Sequence, residues 1–366
     1  MTTASSHTNQ SLSACKREPF TLVSPVQNET VTQHTKEQDA FIRLLLDVHS
    51  FQSQSEWLEI RRKKQADLSL PKINVFRWRC LDDMEAQLVE VSENSEFKGH
   101  VFHFPVEPGK NEAMVHSLKS DATYYWRVIG KDCQARPVYS SLSRFRTADE
   151  IPRWVWVDGV SNVRDMGGWK TEDGHHVRQG LVFRGGEMQC HMTVTEAGLH
   201  FVEHELGLRS LLDLRGQDEL DTDPTHGSSL SPCVHWYNTP IGGYANCATD
   251  ENKSQYAKAF RICLDPTNLP LYTHCWGGAD RTGTLIFLLN AALGVSETDL
   301  ILDYELTSLA IWGVRSYETE LFSGFLDYLE SIAPEQDIQT KAITYWKSIG
   351  ITDNEISQFQ KLFLCL

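Results

Sequence analysis

Between residues 71 and 147 the apolar positions come in short alternating runs, INVFRWRC, AQLVEVS, HVFHFPV, TYYWRVIG and SRFRT, separated by polar turns such as SENSEFKG and EPGKNE. A period of two predicts half-buried strands, and their close spacing with no helical period between them predicts an antiparallel sandwich. Upstream, PFTLVSPVQNETVT reads as a first strand of the same layers. Between the two lies KEQDAFIRLLLDVHSFQSQSEWLEIRRKKQADL, where Phe41, Leu44, Leu45 and Val48 fall at helical spacing. The reading is an all-β sandwich with a helical insertion over about residues 35–67.

From residue 151 onward the pattern changes to strand-like runs alternating with helix-like runs, the sign of an α/β domain whose mostly parallel central sheet is flanked by helices. GLRSLLDLR (207–215) and LPLYTHC (269–275) read as buried strands, and TEAGLHFVEHEL, QYAKAFRICL, RTGTLIFLLNAAL, SETDLILDYELTSL and QTKAITYWKSI as helices. Ser296 with Asp299, and Thr352 with Glu355, have the spacing of N-terminal capping boxes. The expected organisation is therefore a disordered tail at 1–17, the sandwich with its insertion at 18–148, and the α/β domain at 150–366.

Composition narrows the partners. The 366 residues are 41% hydrophobic and 23% charged, as in ordinary globular proteins, with a net charge of -15. Such a field repels nucleic acid and anionic membranes, while a local positive pocket can still capture a small anion. Nine cysteines, an odd number without a C-x-x-C pair, fit a reducing compartment better than a disulfide framework. The first twenty residues lack the apolar core of a secretion signal, and no apolar run reaches about eighteen residues, so membrane insertion is not expected. The expected location is cytoplasmic.

Chemistry concentrates in LYTHCWGGADRTGTLIFLLNAALG (271–294), a strand, a cysteine in a glycine-containing loop, then a helix. Cys275 stands at the carboxyl end of a strand facing a helix N-terminus, the place where α/β sheets bind ligands. Converging backbone N–H groups and the helix dipole there lower a thiol's pKa from about 8.5 and cradle a tetrahedral anion. Gly277 and Gly278 let the loop amides approach a ligand, and together with Trp276 and Ala279 they form the expected anion-binding loop. Arg281 can grip two phosphate oxygens, Thr282 can donate its hydroxyl to the thiolate, and His274 reads as a buried orienting group.

The string H-C-x-x-G-x-x-R-T-G after a strand and before a helix resembles the signature loop of cysteine-dependent protein tyrosine phosphatases. The Asp before the arginine is similar to the bacterial tyrosine and dual-specificity phosphatase family whose loop reads H-C-x-x-G-K-D-R-T-G, a group that includes enzymes acting on phosphoinositides. GVSNVRDMGGW (159–169) resembles that family's N-F-R-D-L-G-G motif, GLVFRGGEM its G-x-x-x-R-S segment with Gly185 in place of Ser, and LGLRSLLDLRGQDEL its buried strand with D-L-R and a following acidic residue. Likewise, ILDYELT and GITDNEISQFQKLFL resemble its closing helices, so the likeness spans residues 150–366. Ala279 stands where the family has Lys, which removes a cation suited to a polyanionic head group. Upstream, LKSDATYYWRV (118–128) resembles the F-strand signature of fibronectin type III-like domains, with Leu118, Tyr124, Trp126 and Val128 matching, Ser120 and Ala122 departing, and Trp78 as a core tryptophan.

The resemblance implies a phosphoric monoester hydrolase working through a phosphocysteine on Cys275, with Arg281 and the loop amides carrying the charge and no metal or other cofactor. Asp280 is the first choice for the general acid, Asp213 the second and Asp250 the third. Arg164 either binds substrate or, with Asp165, braces the loop. HFVEH (200–204) fits the H-x-x-E-H pattern of zinc sites, but on a helix His200, Glu203 and His204 would face solvent opposite Leu199, Val202 and Leu206. The substrate expected is a phosphotyrosine protein or another phosphomonoester, with the sandwich free to dock a protein partner. Alternatives are a phosphoinositide or dual-specificity phosphatase, a sulfur-transfer or arsenate-type cysteine enzyme, and a catalytically weak phospho-ligand binder acting through its sandwich.

Overall fold

The structure, a computed structural model, describes residues 18–47, 51–62, 67–223, 225 and 230–365. The expected tail at 1–17 and the position of Val48 lie outside them. Contacts divide the described residues into two compact units interleaved along the sequence: one holds those of 18–29, 75–113 and 124–145, the other those of 30–74, 114–123 and 146–365.

The first unit is antiparallel. Strand Phe20–Ser24 pairs with Asn74–Cys80, and Met84–Ser92 pairs on one side with Phe102–Pro105 and on the other with Thr123–Asp132. The period-two pattern does what it predicts: Tyr124, Trp126 and Val128 are buried while Tyr125 and Arg127 between them are less so. Phe76 of one sheet meets Trp126 of the other edge-on at 4.8 Å and Phe145 at 5.1 Å, so aromatic rings from two sheets share one interior. Trp78 and Tyr124 belong to that buried set.

In the second unit a five-stranded sheet runs in the order Arg164–Asp165, Val182–Gly185, Leu271–His274, Ser210–Asp213, His235–Asn238. The last four are parallel and the first is an antiparallel edge. Val182–Gly185, Ser210–Asp213 and Leu271–His274 are buried at every position, because helices cover both faces of a parallel sheet. Successive side chains go to opposite faces: Leu211 and Tyr272 join one apolar cluster with Phe183 and Val202, while Leu212 and Leu271 join another with helix Asp280–Ala292. That helix is apolar nearly all round and correspondingly buried along its length.

Two expectations change. The helices of the insertion, Lys36–Asp47 and Phe51–Arg62, belong with the α/β unit and not with the strands that flank them in sequence. Their stripe explains why: Phe41, Leu45 and Leu58 are buried in the same cluster as Leu302 and Leu306 of helix Glu297–Leu306, and Gln38 donates to the carbonyls of Leu68 and Leu70 at 3.1 and 2.9 Å. Of the two capping boxes, Thr352 and Glu355 form both halves of the exchange. Ser296 accepts from the Asp299 N–H at 3.2 Å, but Asp299 takes the Ser296 hydroxyl instead of the capping backbone N–H.

Candidate active site

Cys275 follows strand Leu271–His274, buried, and the loop from Trp276 to Ala279 returns the chain into helix Asp280–Ala292. The peptide planes of this loop are oriented from behind. The Trp276 carbonyl accepts from the Glu187 N–H at 2.8 Å, the Gly277 carbonyl from Asn162 Nδ2 at 2.9 Å, and the Gly278 carbonyl from Arg184 Nη2 at 2.5 Å. In a trans peptide the following N–H points the opposite way, so fixing three carbonyls outward aims the N–H groups of Gly277, Gly278 and Ala279 inward. Gly278 has φ of +65° beside a right-handed Ala279, the alternation that curls amides into an anion-binding nest. A Cβ at Gly278 would lie 2.0 Å from the Gly185 carbonyl oxygen, so no other residue fits.

The bracing side chains form one buried network. Asp303 accepts from Arg164 Nε at 2.7 Å and from Arg184 Nη1 at 2.6 Å, and Arg164 Nη1 donates to Asn162 Oδ1 at 2.6 Å. Burial pushes the Asp303 carboxyl up, but the two guanidinium groups outweigh it and hold the carboxyl below its ordinary range. Burial, aided by the nearby Arg164 charge, lowers Arg184 to about 10.

In front of the loop the ion pairs are partly exposed. Glu219 takes both terminal nitrogens of Arg281, at 2.5 and 2.8 Å, which fixes the plane of the guanidinium. Burial lowers the affinity of Arg281 for its proton, but the Glu219 bonds and the hydrogen bond and charge of Cys275 reverse the direction and raise it. Arg315 holds Asp280 through Nε at 2.7 Å and Nη2 at 3.1 Å, and the Tyr244 hydroxyl also donates to Asp280. Burial pushes the Asp280 carboxyl up, yet Arg315, Tyr244 and Arg281 together leave it below its ordinary range. Trp276, 42% exposed, stacks on His191 at 3.7 Å and meets Trp312 edge-on at 6.5 Å.

The profile of the Tyrosine phosphatase family matches residues 155–364, more than half of the chain. The chain belongs to the tyrosine phosphatase family. A protein of Cupriavidus necator provisionally named a tyrosine-protein phosphatase is 28% identical over 171 residues, 40% of this chain and 60% of that protein. The chain thus spans about three fifths of the length of that relative. Among solved structures, the core catalytic domain of the S. cerevisiae PP-IP phosphatase Siw14 in complex with citrate is 20% identical and covers 41% of this chain and 86% of its own, with a TM-score of 0.27. A second structure of the Siw14 catalytic core is 19% identical over 41% of this chain and 85% of that one, with a TM-score of 0.28. Both scores are too low to bear on the architecture.

Measured against this member of the tyrosine phosphatase family, the expected site residues divide. Cys275, Trp276, Gly277, Gly278, Ala279, Asp280, Arg281 and Thr282 occupy one loop and the first turn of one helix. Thr282 Oγ1 is buried without a hydrogen-bond partner. Arg164 does not line the loop's open side: it is fully buried, spent on Asp303 and Asn162, because the chain's antiparallel edge strand carries it behind the loop. Asp213, the second acid candidate, is also fully buried, held by Arg215 in a cluster with Glu187 and Asp223 and 3.9 Å from His274 Nε2. Asp250 lies at the exposed start of helix Asp250–Leu264, paired with Lys253. His200 and His204 meet edge-on at 4.5 Å, while Glu203 is turned away to accept the Ser231 N–H.

Gly185, where the family has Ser, has a reason in this fold. A Cβ there would fall 2.2 Å from the Tyr272 hydroxyl, which occupies that space to donate to the Gly186 carbonyl at 2.7 Å. Sequence reading passed over Asn162, Arg184 and Asp303 behind the loop, and Glu219, Tyr244 and Arg315 in front. Asn162, Arg184, Glu219 and Asp303 lie inside motifs that resemble the family's, with no sign in the sequence of what they hold, whereas Arg315 and Trp312 come from an irregular segment with no periodicity to mark them.

Proposed function

We propose that the α/β unit is a phosphoric monoester hydrolase of the tyrosine and dual-specificity phosphatase type. The Cys275 thiolate attacks phosphorus, an S–P bond forms as the ester P–O bond breaks, and the leaving oxygen takes a proton from Asp280. Water then attacks the phosphocysteine, gives a proton to Asp280, and releases phosphate and the thiolate. Arg281 and the N–H groups of Gly277, Gly278 and Ala279 carry the charge of the transferring phosphoryl group, and Thr282 donates to the thiolate. The observation that carries this reading is the set of three outward-tied carbonyls at residues 276–278, which preorganises the opposing amides before any ligand arrives.

Phosphotyrosine proteins and other aryl phosphomonoesters are the proposed substrates, with exposed Trp276 at the rim able to stack on an aromatic leaving group. The strand unit is proposed to be of fibronectin type III kind and to dock a protein partner, and the compartment to be a reducing one such as the cytoplasm. No helix among the described residues is long and apolar enough to cross a membrane. The test is phosphate release from p-nitrophenyl phosphate in excess chelator by the full chain and by Cys275→Ser. Turnover by the former and none by the latter supports thiol catalysis; equal rates overturn it.

A further inference from the structure

We infer that Arg315 is the specificity-determining cation of this site: it receives a second anionic group on the phosphomonoester substrate and in doing so releases Asp280 to act as the acid. The inference rests on the phosphatase reading above and deepens it.

Four observations carry it. Ala279, buried, offers no cation from the loop itself, and Arg315 brings one from another segment of the chain. Arg315 is partly open to solvent, at 22% of its side chain, so an incoming anion can reach it. Its guanidinium also donates through Nη1 to the carbonyls of Trp312 and Val314, at 3.4 and 3.2 Å, so it is held in place independently of Asp280. Finally, Asp280 without substrate accepts from two nitrogens of Arg315 and from Tyr244, an arrangement made for a carboxylate and not for a carboxylic acid with a proton to give.

The charged and titratable groups facing Asp280 are Arg315 from the segment after helix Glu297–Leu306, Tyr244 from the turn Tyr244–Ala248, Tyr304 behind Tyr244 at 2.7 Å between hydroxyls, and Arg281 beside it on its own helix. Of these only Arg315 pairs with Asp280 through two hydrogen bonds. When a substrate carboxylate or second phosphate takes those two donors, Asp280 loses the partner that most favours its ionised form, and protonation moves toward neutral pH. A substrate with a single phosphate and no other charge leaves the pair intact.

The experiment compares phenyl phosphate with 3-carboxyphenyl phosphate, which share a poor leaving group that needs an acid. Wild type is expected to favour the carboxylated ester in kcat/KM by about tenfold or more, the worth of a charge-assisted bidentate contact. Arg315→Gln is expected to abolish the preference. A second readout needs no variant: the descending limb of the kcat profile, where the acid loses its proton, lies at higher pH for wild type with the carboxylated ester than with phenyl phosphate. Arg315→Gln is expected to move the limb upward for phenyl phosphate and to leave it there when the carboxylate is added. Equal kcat/KM for the two esters in wild type, with the limb unmoved, overturns the inference while leaving Cys275 chemistry standing. Undiminished activity of Cys275→Ser on both esters overturns the phosphatase reading itself.

Discussion

The two sides of the Cys275 loop are held by the same kinds of group in opposite surroundings. Behind it, Arg164, Asp303 and Arg184 are sealed from water and hydrogen-bonded almost throughout. In front, Arg281 with Glu219 and Arg315 with Asp280 repeat the guanidinium–carboxylate pairing at partly exposed positions. A buried pair cannot exchange partners, because any opening leaves a charge in a medium that does not solvate it. A half-exposed pair can, since water and substrate compete on nearly equal terms. The rear network is therefore suited to shape, and the front pairs to binding.

The largest expected effect is on the rear. Asp303→Ala should destabilise the protein by about 3–5 kcal/mol by leaving two buried arginines unpaired, as read by urea unfolding; a loss under about 1 kcal/mol would erase the distinction between the two sides. On the front, Arg281→Lys should lower kcat/KM for p-nitrophenyl phosphate by about 10²–10³, because a point charge cannot grip two oxygens, while changing the unfolding midpoint little. Gly185→Ser, the residue usual in the family, should cost about 1–3 kcal/mol here by overpacking against Tyr272, and Tyr272→Phe in the same chain should recover part of it. Smallest is the response to acid. Because the Asp303 carboxyl is held below its ordinary range, its contribution is complete above the unfolded value near 3.9 and is lost only as pH falls further. Thermal melts should therefore hardly change between pH 7 and about 5 on this account, and Asp303→Asn should remove the loss seen at lower pH.

How much was legible in the sequence follows the same division. The loop from Cys275 to Thr282 is contiguous, so its residues could be grouped from spacing alone, and the strand before it and the helix after it were marked by apolar runs. Arg164 was visible as part of a motif, but the motif gave no sign of which side of the loop it would face; that depends on its antiparallel pairing with Val182–Gly185. Asp303 and Arg315 lie far from the loop in sequence, one within a helix and one in an irregular segment, and no period connects either to Cys275. The insertion was recognised as helical from Phe41, Leu44 and Leu45, yet amphipathic spacing says that a face is buried without saying against what. Sequence proximity to the strands suggested the wrong neighbour.

That insertion has a consequence for where the chain can be cut. Residues 67–70 follow its second helix and reach the site: the Ser69 hydroxyl accepts the N–H of Asn162, the residue that holds the Gly277 carbonyl, and the Leu68 N–H donates to the Leu309 carbonyl. A fragment that starts at residue 155, where the family profile begins, would lack these bonds and would bare the apolar surface that Phe41, Leu45 and Leu58 cover. The smallest piece that keeps the α/β unit whole therefore carries the strand-rich unit with it, since the chain passes through that unit over residues 75–113 and 124–145 on its way back. Gene truncation at the profile boundary is expected to yield insoluble protein, while a cut ahead of residue 18 removes none of these supports.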